Sequence, residues 1–296
     1  MTDSEAHPQR RDSAGAAPRG SALAPVRQRY ADWLRLDHDA VIADRIEDPA
    51  EIRAMQIIVR MERDHGPDWY TALGLAARGC AAVCLDPRSE PGGIWYDDVR
   101  AYALGHIRKV TRRARGNQWH EAGSVPGIGL SSGGTDVYVA VPGLASRLDH
   151  RISRLQVGGT DAPRVEPDEW PEIGPDTLVV HPNPAVPMTL GKAMAQAGHA
   201  GMIGAALLAG DRPRDLVAWI DRGLRVAVRP VAPPEWERLA QATSAPLRAW
   251  VANGLDALTL SLRAWRETGL LAVRDAGFTE IDPGTVTMIA RWASRT

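Results

Sequence analysis

The order of short apolar strands and small-residue helices constrains this chain most, because the same order occurs twice. The apolar run 55–61 precedes a helix predicted over 69–85, and the run 178–180 precedes a helix predicted over 188–209. Apolar runs of this length are typical of buried strands. The repetition predicts a tandem duplication of one α/β unit, and the alternative is a chance likeness between two alanine-rich units.

Two further pairs of segments support the duplication. The strand pattern GTDVYVA at 134–140 parallels GTVTMIA at 284–290, and each helix carries a Gly-x-Ala triplet, at 79–81 and at 198–200. Aligning the triplets places three apolar or thiol side chains opposite three polar ones: Leu73, Ala77 and Cys80 opposite Lys192, Gln196 and His199. Only the second copy therefore carries a polar trio.

The predicted organisation follows from these repeats and from composition. Residues 1–25 are predicted to be a disordered tail, 26–157 a degenerate α/β domain, 158–175 a Pro-rich linker and 176–296 a second α/β domain with a mixed sheet. Outside the repeats, helices are predicted over 26–46 and 247–268, the latter ending at Gly269, and strands over 224–229, 270–274 and 286–291.

Composition excludes several classes of function. A net charge of −1 gives no global field for nucleic acid, and no uncharged run is long enough to span a bilayer. No secretory signal pattern opens the chain, so a cytoplasmic location is expected. Cys80 and Cys84 have neither redox nor zinc spacing and are expected to be buried thiols. Of 35 basic residues only Lys109 and Lys192 are lysines, which suggests roles that arginine cannot fill.

The polar trio and one downstream loop are the candidate site. Lys192, Gln196 and His199 stand at i, i+4 and i+7, so they share one face of a helix. The loop DAGFTEIDPGT, residues 275–285, begins with Asp275 at a strand end, where sites form in open α/β sheets. The alternatives are a solvated helix face and an ordinary hairpin.

Together, GK-x-x-AQ-x-x-HA and DAG-x-T-x-I-x-PGT resemble the signatures of type II peptidyl-tRNA hydrolases, the archaeal and eukaryotic-type family, over about 177–291. The resemblance implies a three-layer α/β/α fold with a four-stranded mixed sheet and metal-free cleavage of the ester between a peptide and the 3′-terminal adenosine of tRNA. It implies no cofactor. Lys192 and Asp275 match the pair at the catalytic centre. The candidate substrate-binding residues are Gly191, Gln196, His199, Thr279 and Thr285.

Several positions depart from the family pattern. His181 and Asn183 stand where an Arg and an Asp are common, Leu190 where a second lysine is common, and Phe278 and Glu280 where Arg and Gln are common. The lost positive charge weakens the expected grip on phosphate. The alternatives are therefore a non-catalytic relative that binds tRNA, other RNA or protein, and a hydrolase of another acyl ester.

A basic cluster in the first half is the candidate contact for the tRNA backbone. It lies in the predicted strand IRKVTRRAR and comprises Arg108, Lys109, Arg112 and Arg113, with Arg115 beyond. A charged edge strand that prevents aggregation is the alternative. The expected partner is tRNA, with no membrane, and a duplicated chain is expected to form within one monomer the pairing that relatives make between subunits.

Overall fold

The computed structural model describes residues 19–35, 48–170, 172–253, 257–275, 281–282 and 284–293. Its α-helices are α1 (Ala24–Arg35), α2 (Trp69–Leu85), α3 (Tyr96–Leu104), α4 (Asn117–Ala122), α5 (His150–Ser153), α6 (Leu190–Asp211), α7 (Pro213–Asp221), α8 (Pro233–Asn253) and α9 (Ala257–Thr268). The strands are β1 (Arg53–Arg60), β2 (Arg108–Ala114), β3 (Gly127–Ser132), β4 (Thr135–Ala140), β5 (Gly143–Leu144), β6 (Thr177–Pro182), β7 (Val226–Val228), β8 (Leu270–Arg274) and β9 (Val286–Ala293).

The two halves of the chain build mixed sheets of the same topology. The first sheet has the strand order β2-β1-β4-β3, with β5 added beside β1, and the second has the order β7-β6-β9-β8. In the first sheet β1 is parallel to β2 and antiparallel to β4, and in the second β6 is parallel to β7 and antiparallel to β9. Strands β3 and β4 pair antiparallel, as β8 and β9 do. The shared topology confirms the duplicated α/β fold.

Strand registers give the residue equivalence between the halves. Ile57 on β1 pairs with Val139 on β4, and His181 on β6 pairs with Ile289 on β9. When the GT motifs at 134 and 284 are aligned, Val139 matches Ile289, and hence Ile57 matches His181. Lys109 on β2 pairs with Met55, two residues before Ile57. Ala227 on β7 pairs with Val179, two residues before His181. Lys109 therefore matches Ala227.

The layers meet in one shared core. The long helices α2 and α6 lie on the facing sides of the two sheets, pack against each other, and form one continuous buried cluster with both sheets. The outer face of the first sheet is covered by α4 and α5 around Ile58 and Ile152. The outer face of the second is covered by α8, where Trp236 packs on Ile289. The two predicted domains are thus halves of a common interior.

Small residues allow the close approach of α2 and α6. A Cβ on Gly201 would collide with the backbone carbonyl of Ala77, and one on Gly198 would lie 2.8 Å from Cys80 Sγ. Asp68 caps α2 by accepting from Thr71 N, as Thr189 caps α6 by accepting from Lys192 N.

The structure aligns α2 with α6 two residues away from the alignment predicted from the Gly-x-Ala triplets. The two N-caps, Asp68 and Thr189, correspond in this alignment, and so do the contacts of Gly198 and Gly201 with α2. The residues opposite Lys192, Gln196 and His199 are Thr71, Leu75 and Arg78. The first unit lacks the polar trio in either alignment. Both cysteines are buried, and burial raises the pKa of Cys80 to about 11 and that of Cys84 to about 12.

The N-terminal boundary of the fold lies earlier than predicted. Residues 21–23 form a 3-10 turn in which Ala22 and Leu23 are buried, so the tail prediction is wrong for residues 19–25, where apolar side chains reach the core. Helix α1 packs on α6 and α9 of the second unit. Arg27 binds both carboxylate oxygens of Asp211, and Tyr30 Oη accepts from Ala272 N at 3.2 Å.

Two other predicted segments take a different form. The linker has no regular element in its described residues, yet it is packed: Thr160 is buried, and the ring of Trp170 lies edge-on to Tyr70 at 5.0 Å. The helix predicted over 247–268 is divided between α8 and α9, with Asn and Gly, poor helix formers, at 253–254 of the sequence. Gly269 ends α9 with a φ of 66°. Across the described ranges, we find no helix with the length and apolarity needed to cross a membrane.

Candidate functional site

A cavity of about 450 Å³ lies where the N-terminal half of α6 faces strand β2 of the first unit and the end of strand β8. Side chains from both units and from the linker line it. They include His106, Arg108, Lys109, Thr111, Thr160, Thr189, Lys192, Gln196, His199, Arg274 and Asp275. The cavity is therefore a composite of the two copies.

A chain of polar contacts on one wall joins Lys192 to the sheet. Lys192 Nζ forms an ion pair with Asp275 Oδ2. Gln196 Nε2 donates to the same oxygen at 2.8 Å, and Gln196 Oε1 accepts from Thr287 Oγ1 at 2.6 Å. Gln196, Asp275 and Thr287 are buried. Because an ionised carboxylate only accepts, the amide nitrogen of Gln196 is turned to Asp275, and the amide oxygen takes the donor of Thr287.

The backbone fixes both members of the ion pair. The amide of Lys192 donates to Thr189 Oγ1 at 3.2 Å, in the first turn of α6. Asp275 N donates to Thr285 O at 2.9 Å, and Asp275 O accepts from Gly284 N at 2.8 Å. The two ends of the 275–285 loop are thus tied together. The carboxylate lies at the positive end of α6, where the helix dipole favours it.

His199, one helical turn beyond Gln196, pairs with the first unit instead. Its Nδ1 lies 3.3 Å from Lys109 Nζ, which also lies 3.2 Å from Tyr102 Oη. Burial and the charges of Lys109 and Lys192 hold the pKa of His199 well below its usual value of 6.5. The imidazole is therefore neutral at pH 7. An ammonium has only donors, so Nδ1 accepts from Lys109 and the ring proton is on Nε2.

Positive charge predominates around the cavity. Among the described lining residues, four bear a lysine or arginine side chain and one bears a carboxylate: Arg108, Lys109, Lys192 and Arg274 against Asp275. Asp275 is already paired with Lys192. The lining therefore suits an anionic ligand.

The first unit lacks the equivalent of this site. Strands β8 and β9 are separated by the eleven residues 275–285, whereas β3 and β4 are joined by Gly133 and Gly134 alone. A two-residue turn leaves no loop to carry an aspartate in the position of Asp275. Together with the missing trio on α2, this leaves the first unit without its own copy of the Lys192–Asp275 pair.

The remaining predicted binding residues have different positions. Gly191 lines the cavity, and its carbonyl accepts from Thr111 Oγ1 at 2.8 Å. Thr285 contributes its backbone oxygen to Asp275 and is not among the described lining residues. Thr279 lies outside the described residues, as do Phe278 and Glu280.

The basic cluster is divided between the cavity and contacts elsewhere in the first unit. Arg108 and Lys109 line the cavity. Arg112 donates to Gln56 Oε1 at 2.8 Å and to Leu155 O at 2.7 Å, and Arg113 Nε donates to the side chain of Gln156 at 2.8 Å. Arg112 and Arg113 are thus held by neighbouring groups and are not among the described lining residues of the cavity.

The departures from the family pattern are structural. Leu190 is buried in the main core. His181 Nδ1 lies 2.9 Å from Arg229 O, and burial lowers the pKa of His181. Asn183 Nδ2 donates to Val286 O at 2.8 Å, and its side-chain oxygen accepts from Ala185 N. None of the three replaces a positive charge in the cavity.

Sequence reasoning missed three threonines of the site: Thr111, Thr160 and Thr287. Thr287 donates to Gln196, and the other two come from the first unit and the linker. The only sequence signal for Thr287 is its position in the predicted strand 286–291, directly after the loop that carries Asp275. Nothing local in the sequence indicates Thr111 or Thr160, because both reach the site through packing of distant segments.

Comparison of the chain with protein-family models, with curated proteins and with solved structures gives no match. In the part of the chain that the structure describes, no three His, Cys, Asp or Glu side chains are grouped to hold a metal ion. The fold and the site thus define a duplicated α/β protein with a polar cavity between its two units.

Proposed function

We propose that this chain hydrolyses the ester bond between the peptide and the 3′-terminal adenosine in peptidyl-tRNA. The observation that carries the proposal is the Lys192–Asp275 ion pair on the wall of a cation-rich cavity, with Gln196 holding the carboxylate. The two residues are 83 positions apart in sequence, and they are the two that the family resemblance implicates in catalysis.

Ester hydrolysis requires a water, a proton acceptor and a donor for the developing oxyanion. In the proposed reaction, the water oxygen bonds to the acyl carbon while Asp275 accepts a water proton. The bond from the acyl carbon to the 3′ oxygen then breaks, and that oxygen takes up the proton. The products are a peptide carboxylate, a tRNA 3′ hydroxyl and one released proton.

Lys192 and Gln196 have supporting roles in this scheme. The ammonium of Lys192 stabilises negative charge on the acyl oxygen in the transition state, where a fixed charge contributes most. Gln196 holds the oxygen of Asp275 that also pairs with Lys192. The neutral His199 offers Nε2–H as a donor to the substrate.

The test is hydrolysis of N-acetylated aminoacyl-tRNA by the intact chain and by near-isosteric variants. We expect turnover by the wild type and a fall in kcat of about 100-fold or more in Lys192→Met and in Asp275→Asn. The matched control is Arg263→Met, which breaks the exposed Arg263–Glu267 pair of α9 and should keep full activity.

Circular dichroism of each variant separates loss of chemistry from loss of fold. Absence of wild-type turnover, or full turnover in both site variants, would overturn the proposal. If the wild type binds the tRNA without cleaving it, the protein is a binding relative that has lost catalysis.

A further inference from the structure

The two lysines of the chain come together in one cavity although they belong to different units. Lys192 is on α6 of the second unit and Lys109 is on β2 of the first. The other 33 basic residues are arginines. A compact ammonium is therefore present at the two positions that share a cavity, whereas every other basic residue is an arginine. This contrast indicates that the cavity requires the shape of lysine as well as its charge.

The surroundings of Lys109 explain why an arginine does not fit. Its Cδ lies where a Cβ on Gly198 would be only 3.0 Å away, so the stem crosses α6 at a residue without a side chain. Its Nζ lies 3.4 Å from Ile107 O and 3.4 Å from Met202 Sδ, in addition to the contacts with Tyr102 and His199. A planar guanidinium would extend beyond this niche into Met202 or the helix.

Lys109 differs from Lys192 in its partners. Lys192 is neutralised by Asp275. Among the described residues, the atoms within hydrogen-bonding distance of Lys109 Nζ belong to uncharged groups: Tyr102, Ile107, His199 and Met202. A partly buried cation without a carboxylate is costly unless an anion from elsewhere joins it.

Comparison of the two units shows that Lys109 has no equivalent lysine in the second unit. At the position of Lys109, the second unit has Ala227, and opposite His199 the first unit has Arg78 on α2. The lysine therefore serves no general need of the duplicated fold. It is present only where strand β2 faces the Lys192–Asp275 site.

We infer that the first unit is a working part of the site, in which Lys109, supported by Arg108, binds a backbone phosphate near the 3′ end of the RNA substrate. This inference rests on the proposed function. Lys109 and His199 line the same cavity as Asp275, so a phosphate held there would place the adjoining nucleotide beside the ion pair. Lys109 is thus a positioning residue contributed by the copy that has no site of its own.

The test is binding, which does not require turnover. The probe is a short single-stranded RNA that ends in a 3′ adenosine, titrated by fluorescence anisotropy into the intact chain at several salt concentrations. We expect Lys109→Met to raise Kd about tenfold. The slope of log Kd against log salt should fall by about 0.7, the value for one phosphate contact on a single strand.

Two further variants make the outcome specific. Lys109→Arg keeps the charge but not the shape and should also weaken binding, whereas Arg63→Met removes one exposed charge outside the cavity and should leave Kd within twofold. Melting temperatures of the three variants identify any loss of fold. If Lys109→Met does not fold, the Kd of the Lys109→Arg variant tests the inference instead.

Unchanged Kd and salt slope in a folded Lys109→Met variant would overturn the inference and leave the proposed hydrolysis standing. The reverse result, a Lys109-dependent Kd and slope without any cleavage of peptidyl-tRNA, would support phosphate binding while the proposed hydrolysis fails. No measurable binding of the RNA to the wild type counts against the inference directly.

Discussion

At the scale of single residues, Thr287 supports the candidate site without being among the described lining residues of the cavity. Its hydroxyl donates to the Gln196 amide oxygen while the amide nitrogen donates to Asp275, and all three groups are buried. Rotated by half a turn, the amide would bring two acceptor oxygens together. The carboxylate therefore fixes the orientation of the amide, and Thr287 supplies the donor that the amide oxygen then needs.

We therefore expect Thr287→Val to disturb both stability and the site. The substitution leaves Gln196 Oε1 buried without a donor, which costs about 1–3 kcal/mol in the free energy of unfolding. Urea denaturation followed by circular dichroism measures this loss. Thr287→Ser retains the hydroxyl and should lose less than about 1 kcal/mol. A larger loss in Thr287→Ser than in Thr287→Val would show that the methyl group, and not the hydrogen bond, is what matters at this position.

Some residues of the site could be predicted from the sequence and others could not. The grouping of Lys192 with Gln196 follows from helical period, and the choice of Asp275 followed from the motif in its loop. The inward direction of Lys109 was not predicted, because it depends on how two units pack and leaves no periodic trace in the local sequence. The buried segment at 19–25 was missed because a Pro- and Ala-rich composition conceals two core residues, Ala22 and Leu23.

At the scale of elements, the crossing of α2 and α6 determines where the cavity lies. The helices approach so closely that Gly201 packs on the backbone of Ala77. This contact holds α2, and with it the first sheet, at the distance from which Lys109 of β2 reaches His199. Strand order was predictable in outline from the repeated pattern, whereas the crossing depends on glycines whose role only three-dimensional packing reveals.

Gly201→Ala tests the crossing. Alanine favours a helix over glycine by about 1 kcal/mol, but overpacking against backbone that cannot rotate away costs about 3 kcal/mol. We expect a net loss of about 2 kcal/mol in the free energy of unfolding, measured by urea denaturation. Gly66→Ala is the control, because a Cβ at Gly66 meets no atom within 4 Å. A more stable Gly201→Ala protein would contradict the close approach of the helices.

At the scale of the whole molecule, the main hydrophobic core is formed by residues of both duplicated units. Helix α1 strengthens this union because it lies beside α6 and α9 although it precedes the first unit in sequence. The outer faces of the sheets, by contrast, have small clusters of their own around Ile58 and around Ile289. Each outer cluster lies on a sheet whose other face belongs to the common core. Loss of packing on either outer face should therefore destabilise the whole molecule.

The shared core leads us to expect one cooperative unfolding transition. Ile58→Ala and Ile289→Ala each remove buried groups on opposite outer faces, and each should cost about 2–5 kcal/mol. Hydrogen exchange by mass spectrometry should then show faster exchange through global unfolding in both units for either variant, because the two sheets open together. Calorimetry should give equal calorimetric and van't Hoff enthalpies. If Ile58→Ala accelerates exchange only within residues 48–157 and Ile289→Ala only within 176–293, the units unfold independently, and the contact between α2 and α6 is a docking of two separate cores.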